Sequence, residues 1–155
     1  MSVVQWIRKK PRLSTLIDQP GGVTVRKALN QAKVDLEPMR AEAMSLIDGH
    51  IKVLEALVVE GMGQDRAAYL RKLYEGGTGV LDSAGPFDLE DVCSAAYSLC
   101  ELVDRYERTG VECDERAVAV HVQSLRLLVT MGSGTPEARL PVLEGLQRVL
   151  ARVPT

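Results

Sequence analysis

Between residues 89 and 103 the apolar side chains Leu89, Val92, Cys93, Ala96, Leu99, Cys100 and Val103 recur at steps of three and four. That spacing winds one stripe along an α-helix, whereas the residues of a strand alternate between two faces. Glu90, Asp91, Ser94, Ser98, Glu101 and Arg105 fall mostly outside the stripe. After a stop at Gly110 and a cap at Asp114, a matching stripe follows with Val118, His121, Val122, Leu125, Leu128 and Val129. No segment shows strand alternation, so the chain is expected to be all-α. Aromatic residues make up only 4%. The core therefore has to come from Leu, Val, Ile, Ala and Met, a mixture that favours helix overall.

The remaining punctuation divides the chain into short elements. Residues 1–22, ending in the Gln19-Pro20-Gly21-Gly22 turn, read as an extended arm. Thr24 can cap a helix showing Val25, Leu29 and Ala32 on one side. Asp35 can cap another with Pro38 in its first turn, or one helix kinked at Pro38 can cover both. From Met39 the pattern runs to about Met62, where Gly61 and Gly63 supply a stop. Residues 64–74 suggest a shorter helix, and the glycine-rich stretch 76–86 is expected to be a flexible loop and the best internal break. Asp88 is placed at the start of the next helix. Thr135-Pro136-Glu137 signals the last one, with Pro141 kinking it or marking its true start, and Val142, Leu146, Val149 and Leu150 as its buried face. The expected architecture is a mostly antiparallel bundle of five or six helices over residues 23–155, preceded by the arm.

At 155 residues and a net charge of −2, the chain as a whole presents no electrostatic footprint for nucleic acid. A local exception is the stretch 6–12, where Trp6 stands among Arg8, Lys9, Lys10 and Arg12, a patch suited to acidic lipid or a partner protein. No apolar run approaches the length of a membrane span, so no integral membrane segment is expected. Pro11, Ser14 and Asp18 interrupt any signal-peptide core, and three cysteines fit reduced thiols, so the expected location is the cytoplasm.

Few groups can carry chemistry. Both histidines stand in apolar stripes, and His50 shares its face with Ala43, Leu46, Ile47, Val53, Leu54 and Leu57. An imidazole on a helical bundle can accept a phosphoryl group from an aspartyl phosphate. That requires an exposed ring, a steadying cation and small neighbours. Histidine phosphotransfer domains carry a lysine three residues on and a glycine after it. Here those places hold Val53 and Leu54, with Lys52 one residue early, and His121 is followed at the same places by Ser124 and Leu125. His50 is the phosphoacceptor candidate, against a packed, hydrogen-bonded reading of both rings. The rings could instead face each other as a pH-sensitive pair. Cys93, Cys100 and Cys113 match neither a zinc spacing nor a C-x-x-C pair, and read as small core residues ahead of a thiol or metal sensor. Gly76-Gly77-Thr78-Gly79 lacks the lysine-hydroxyl pair that ends a phosphate loop, and no strand precedes it. No catalytic residue, metal ligand or cofactor is expected. The acidic residues Glu101, Asp104 and Glu107 form a possible docking face for a basic partner.

Two stretches carry a resemblance. PGGVTVRKALNQAKVDLEPMR, residues 20–40, and AAYSLCELVDRYERTGVECDERAVAVHVQSLRLL, residues 95–128, resemble small bacterial helical proteins of the chemotaxis protein CheE type. The resemblance spans about a third of the chain in packing patterns rather than catalytic signatures, and residues 63–87 have no part in it. It implies a cytoplasmic, non-enzymatic protein linked to chemotaxis or two-component signalling. The expected function is a regulatory or adaptor protein that docks onto a signalling partner such as a receiver domain or sensor kinase. The alternatives are histidine phosphotransfer through His50 and thiol or metal sensing. The wide apolar helix over 39–57 suits a dimer interface and a monomeric core equally.

Overall fold

In a computed structural model, the structure describes residues 22–132 and 136–154. The arm with Trp6, Arg8, Lys9, Lys10 and Arg12 lies outside the described residues. Six α-helices and two 3-10 turns occur among the described residues, with no strand. The helices are α1 (Val25–Leu36), α2 (Arg40–Glu60), α3 (Arg66–Ala84), α4 (Glu90–Thr109), α5 (Glu115–Thr130) and α6 (Pro136–Leu150). The chain divides into two compact units at Asp35/Leu36.

The first unit contributes α1. Its N-terminus is capped by Thr24, whose Oγ1 accepts from the Lys27 N–H at 3.3 Å. No residue of α1 is buried. Pro38 falls in the 3-10 turn Glu37–Met39, with Leu36, Met39 and Arg40 all in the right-handed helical region. Asp35 lies inside α1 instead of capping a second helix, and α2 starts at Arg40 with no side-chain cap.

The second unit is an all-α bundle. α2, α3, α4 and α5 each pack on their neighbour in sequence, and α5 returns to α2, closing a ring of four. α6 lies against α4 and α5. Short connections over 61–65, 85–89 and 110–114 turn consecutive helices antiparallel. Caps set the ends. Asp65 accepts from Ala68 N–H at 2.9 Å and Asp114 from Arg116 N–H at 2.9 Å, while Gly61 and Gly110 take the positive φ that ends α2 and α4. Asp88 also has a positive φ, which aspartate tolerates, and α4 begins two residues later than expected, at Glu90.

The core is aliphatic, built from Ile47, Ile51, Leu54, Leu70, Leu73, Leu99, Leu102, Leu125, Leu128 and Leu146. α4 buries more than its predicted stripe, adding Ala95, Ser98, Leu102 and Tyr106, because it touches α3, α5 and α6. α6 continues through Pro141 with Leu146 at its buried centre. Arg105 fastens its end, donating to the carbonyls of Leu150 and Val153, both at 3.1 Å.

The expected loop at 76–86 is overturned. Residues Gly76, Gly77, Thr78 and Gly79 are helical turns in the middle of α3, and the 3-10 turn starts only at Gly85. Packing explains the reversal of local propensity. A Cβ on Gly76 would stand 2.6 Å from Leu54 Cδ2, and one on Gly77 would stand 2.7 Å from Cys100 Sγ. These glycines let α3 approach α2 on one side and α4 on the other more closely than any side chain would allow.

Candidate functional site

His50 sits midway along α2, where that helix meets the glycine step of α3. A Cβ on Gly79 would lie 2.5 Å from His50 Cε1, 2.6 Å from Nδ1 and 2.8 Å from Nε2. The imidazole therefore packs directly on the Gly79 backbone, where an added Cβ would displace the ring. It is half-buried and makes no hydrogen bond to any described residue. Neither ring nitrogen is among the sealed polar atoms that lack a partner, so solvent reaches them.

Around the ring, α2 shows an apolar surface. Leu46 and Val53, one turn before and after His50, are 53% and 56% exposed. This corrects the expected shared face. Ala43, Ile47, Leu54 and Leu57 are buried together with Ile51, while Leu46 and Val53 point outward. Gly49 lies among them, and a Cβ added there would meet nothing within 4 Å. The surface is thus small-residued and open beside the imidazole.

The opposite flank of α2 is charged. Asp48 and Glu55 stand two turns apart and share Arg126 of α5. Arg126 grips Glu55 with two hydrogen bonds, Nε to Oε1 and Nη2 to Oε2, both 2.8 Å, and donates a third through Nη1 to Asp48. Lys52 Nζ is 2.8 Å from Asp48 Oδ2. The hydrogen bond from Lys52, then that from Arg126, holds the Asp48 carboxyl below its ordinary range. Arg126 does the same for Glu55, and the two carboxylates push the guanidinium pKa up. Lys52 is therefore turned to an ion pair about 160° around the helix from His50, away from any phosphoryl group there.

His121 has a different role. It is fully buried, its Nδ1–H donates to the Ala117 carbonyl at 2.8 Å, and its Nε2 accepts from the Ser98 hydroxyl at 3.0 Å. Burial lowers its pKa, so the ring is neutral at pH 7. It is a packed core histidine and not an acceptor site. Ser98, expected outside the stripe, is buried to serve it. The two rings do not form a pair, since the His50 ring packs against Gly79 of α3 while both His121 nitrogens are taken by Ser98 of α4 and the Ala117 carbonyl.

The thiols are free, with Cys100 and Cys113 buried and Cys93 half-buried. Burial pushes Cys93 up and takes Cys100 and Cys113 to about 11, which disfavours the thiolate a sensor needs. No cluster of three or more His, Cys, Asp or Glu suited to a metal occurs among the described residues. The acidic candidates of α4 are partly neutralised by their own helix. Glu101 pairs with Arg105 at 2.9 Å, Asp104 lies 4.0 Å from Arg108, and Glu107 is exposed. A cavity of about 440 Å³ lined by Tyr106, Val111, Arg116, Val149 and Arg152 includes neither histidine.

Sequence reasoning missed the glycine step and the Arg126 clasp. A signal for the first existed, since Leu70, Leu73, Val80 and Ala84 keep helical spacing straight through the glycines. For the second, Asp48 and Glu55 are seven apart on one helix face, but nothing in the sequence names Arg126 as their partner. No helix of the described residues is long and apolar enough to cross a membrane. No family model, curated protein or solved structure matches the chain.

Proposed function

We propose that this protein is a non-enzymatic helical adaptor that presents the α2 surface around His50 to a cytoplasmic signalling protein of the two-component or chemotaxis kind. The observation that carries the reading is the exposure of Leu46 and Val53 on either side of a half-buried, unbonded imidazole, with Gly49 leaving open space beside it. Apolar anchors of this kind, ringed by polar surface, hold protein interfaces together. The α4 acids, engaged by Arg105 and Arg108, rank behind this face. The signalling context rests on the resemblance of residues 20–40 and 95–128 alone.

Histidine phosphotransfer through His50 is the second reading. It is favoured by the solvent-reached ring nitrogens, and weakened by the engagement of Lys52 with Asp48. One experiment addresses both. Phosphorylated receiver domains from the same cell are mixed with the wild type, Leu46→Asp, Val53→Asp, His50→Gln and His121→Gln. A docking module binds a receiver without taking label, and either aspartate weakens binding by about tenfold or more while leaving the fold intact. Label that disappears only in His50→Gln establishes the second reading. Binding unchanged in both aspartate variants moves the interface off α2.

A further inference from the structure

Four arginines hold or line one cavity of about 440 Å³ in the second unit, and they divide into two kinds. Two of them fix its walls. Arg66 Nη2 donates to the carbonyls of Tyr106 and Val111 at 2.6 and 2.8 Å, and Arg105 Nη1 donates to the Val153 carbonyl at 3.1 Å. Tyr106, Val111 and Val153 all line the cavity. The other two, Arg116 and Arg152, line it themselves, and their guanidiniums have no partner among the described residues. Arg116 stands in the first turn of α5 and Arg152 just beyond α6, so the cavity lies between the start of one helix and the end of another.

Apolar side chains supply most of the remaining lining: Val111, Ala117, Val120, Val149, Val153 and Pro154. Val111 and Val120 are 40% and 42% exposed, so both are open to an occupant. A concave, largely apolar space of a few hundred Å³ with a few converging polar groups is the usual form of a small-molecule site. Two carboxylates also border it, Glu112 and Asp114. Asp114 is committed to α5, since its Oδ1 accepts from the Arg116 N–H at 2.9 Å and its charge offsets the positive end of that helix. That leaves two guanidiniums against Glu112, a net of +1, which one negative charge on a ligand neutralises.

We propose that this cavity binds a small amphipathic monoanion, a carboxylic acid with an apolar body, whose carboxylate is held by Arg116 and Arg152 while the body rests on Val111, Val120 and Val149. A guanidinium recognises a carboxylate through parallel N–H bonds and keeps its charge across the working range of pH. The walls are already held by Arg66 and Arg105, so binding orders little of the protein. No residue of α2 lines the cavity, so the site is independent of the docking face around His50.

The test is calorimetric titration of the full chain with octanoate, octanol and octylammonium, which share one apolar body and differ in charge. Octanoate should bind about tenfold or more tighter than octanol. Arg116→Gln and Arg152→Gln, both at exposed positions, should each weaken octanoate by about fivefold to tenfold and leave octanol unchanged. Glu112→Gln should strengthen octanoate by about twofold to threefold, because it removes the opposing charge. Val120→Gln, also at an exposed position, should weaken octanoate and octanol together. Octanol bound as tightly as octanoate overturns the proposal, because the site then does not read charge. Octylammonium bound as tightly as octanoate overturns it as well, because the carboxylates then govern the cavity. Octanoate binding that both arginine substitutions leave untouched places the ligand elsewhere, and no binding of any of the three to the folded chain leaves the cavity without this ligand class; either result sinks the proposal.

Discussion

Helix α2 is held on its two flanks by opposite means. Toward α3 the contact is steric: Gly76 and Gly79 remove side chains so that Leu54 and His50 can press against the backbone of the neighbouring helix. Toward α5 the contact is electrostatic: Arg126 reaches over to Asp48 and Glu55 at the surface. The steric seam tolerates almost no change in volume, because interiors are packed as tightly as crystals. The charged seam lies in water, where ion pairs are screened and individually weak. One helix thus joins a rigid seam, which carries the candidate site, to a compliant one.

The largest effect should come from filling the rigid seam. Gly76→Val places a branched Cβ against Leu54 Cγ and Cδ2, which stand 2.9 and 2.6 Å away with no exposure to relax into. Overpacking of this kind should cost about 2–3 kcal/mol, after subtraction of a gain in helix propensity of under about 1 kcal/mol. The shift in urea midpoint measures it, and an unchanged midpoint would mean that the seam is looser than these distances imply.

A double-mutant cycle sharpens the same comparison at the site. Gly79→Ala should destabilise the wild type by about 1 kcal/mol by displacing the imidazole, yet stabilise a His50→Ala background by a similar amount through helix propensity. Equal effects in both backgrounds would show that the ring does not need the glycine.

The smallest effect belongs to the compliant seam. Arg126→Met should lose roughly 0.5–1 kcal/mol through the bidentate pair with Glu55, and less at high salt. Its pH signature has a definite sign. The native pKa values of Glu55 and Asp48 are lowered, so their contribution is complete above the ordinary values of 4.5 and 3.8 and disappears as pH falls through the lower native ones. Below about pH 4.5 the wild type should therefore lose stability more steeply than Arg126→Met, as read by chemical denaturation at each pH.

The same contrast governs how much could be read from the sequence. The stripes of α4 and α5 and the caps at Asp65 and Asp114 are local: each depends on residues within a turn or two, and the Asp114 cap and both stripes were legible. The glycine stretch read as a loop because glycine is a poor helix former when isolated, and its true role depends on Leu54, Cys100 and His50, which are distant in sequence. Leu46 and Val53 were misplaced because the apolar residues of α2 cover too wide an arc for periodicity to tell the buried part from the exposed part. His50 stands out in the sequence as one of only two imidazoles, while its posture on Gly79 depends on a helix distant in sequence.

The glycine step also fixes an order of events during folding. An isolated segment containing Gly76, Gly77 and Gly79 has a high entropy of the open chain and little intrinsic tendency to coil into a helix. The middle of α3 must therefore acquire its helical form together with its docking against α2 and α4, rather than before it. It follows that the amides of residues 76–79 share the opening free energy of the whole bundle, so that proton exchange in this stretch reports on the integrity of the ring of helices and not on local fraying.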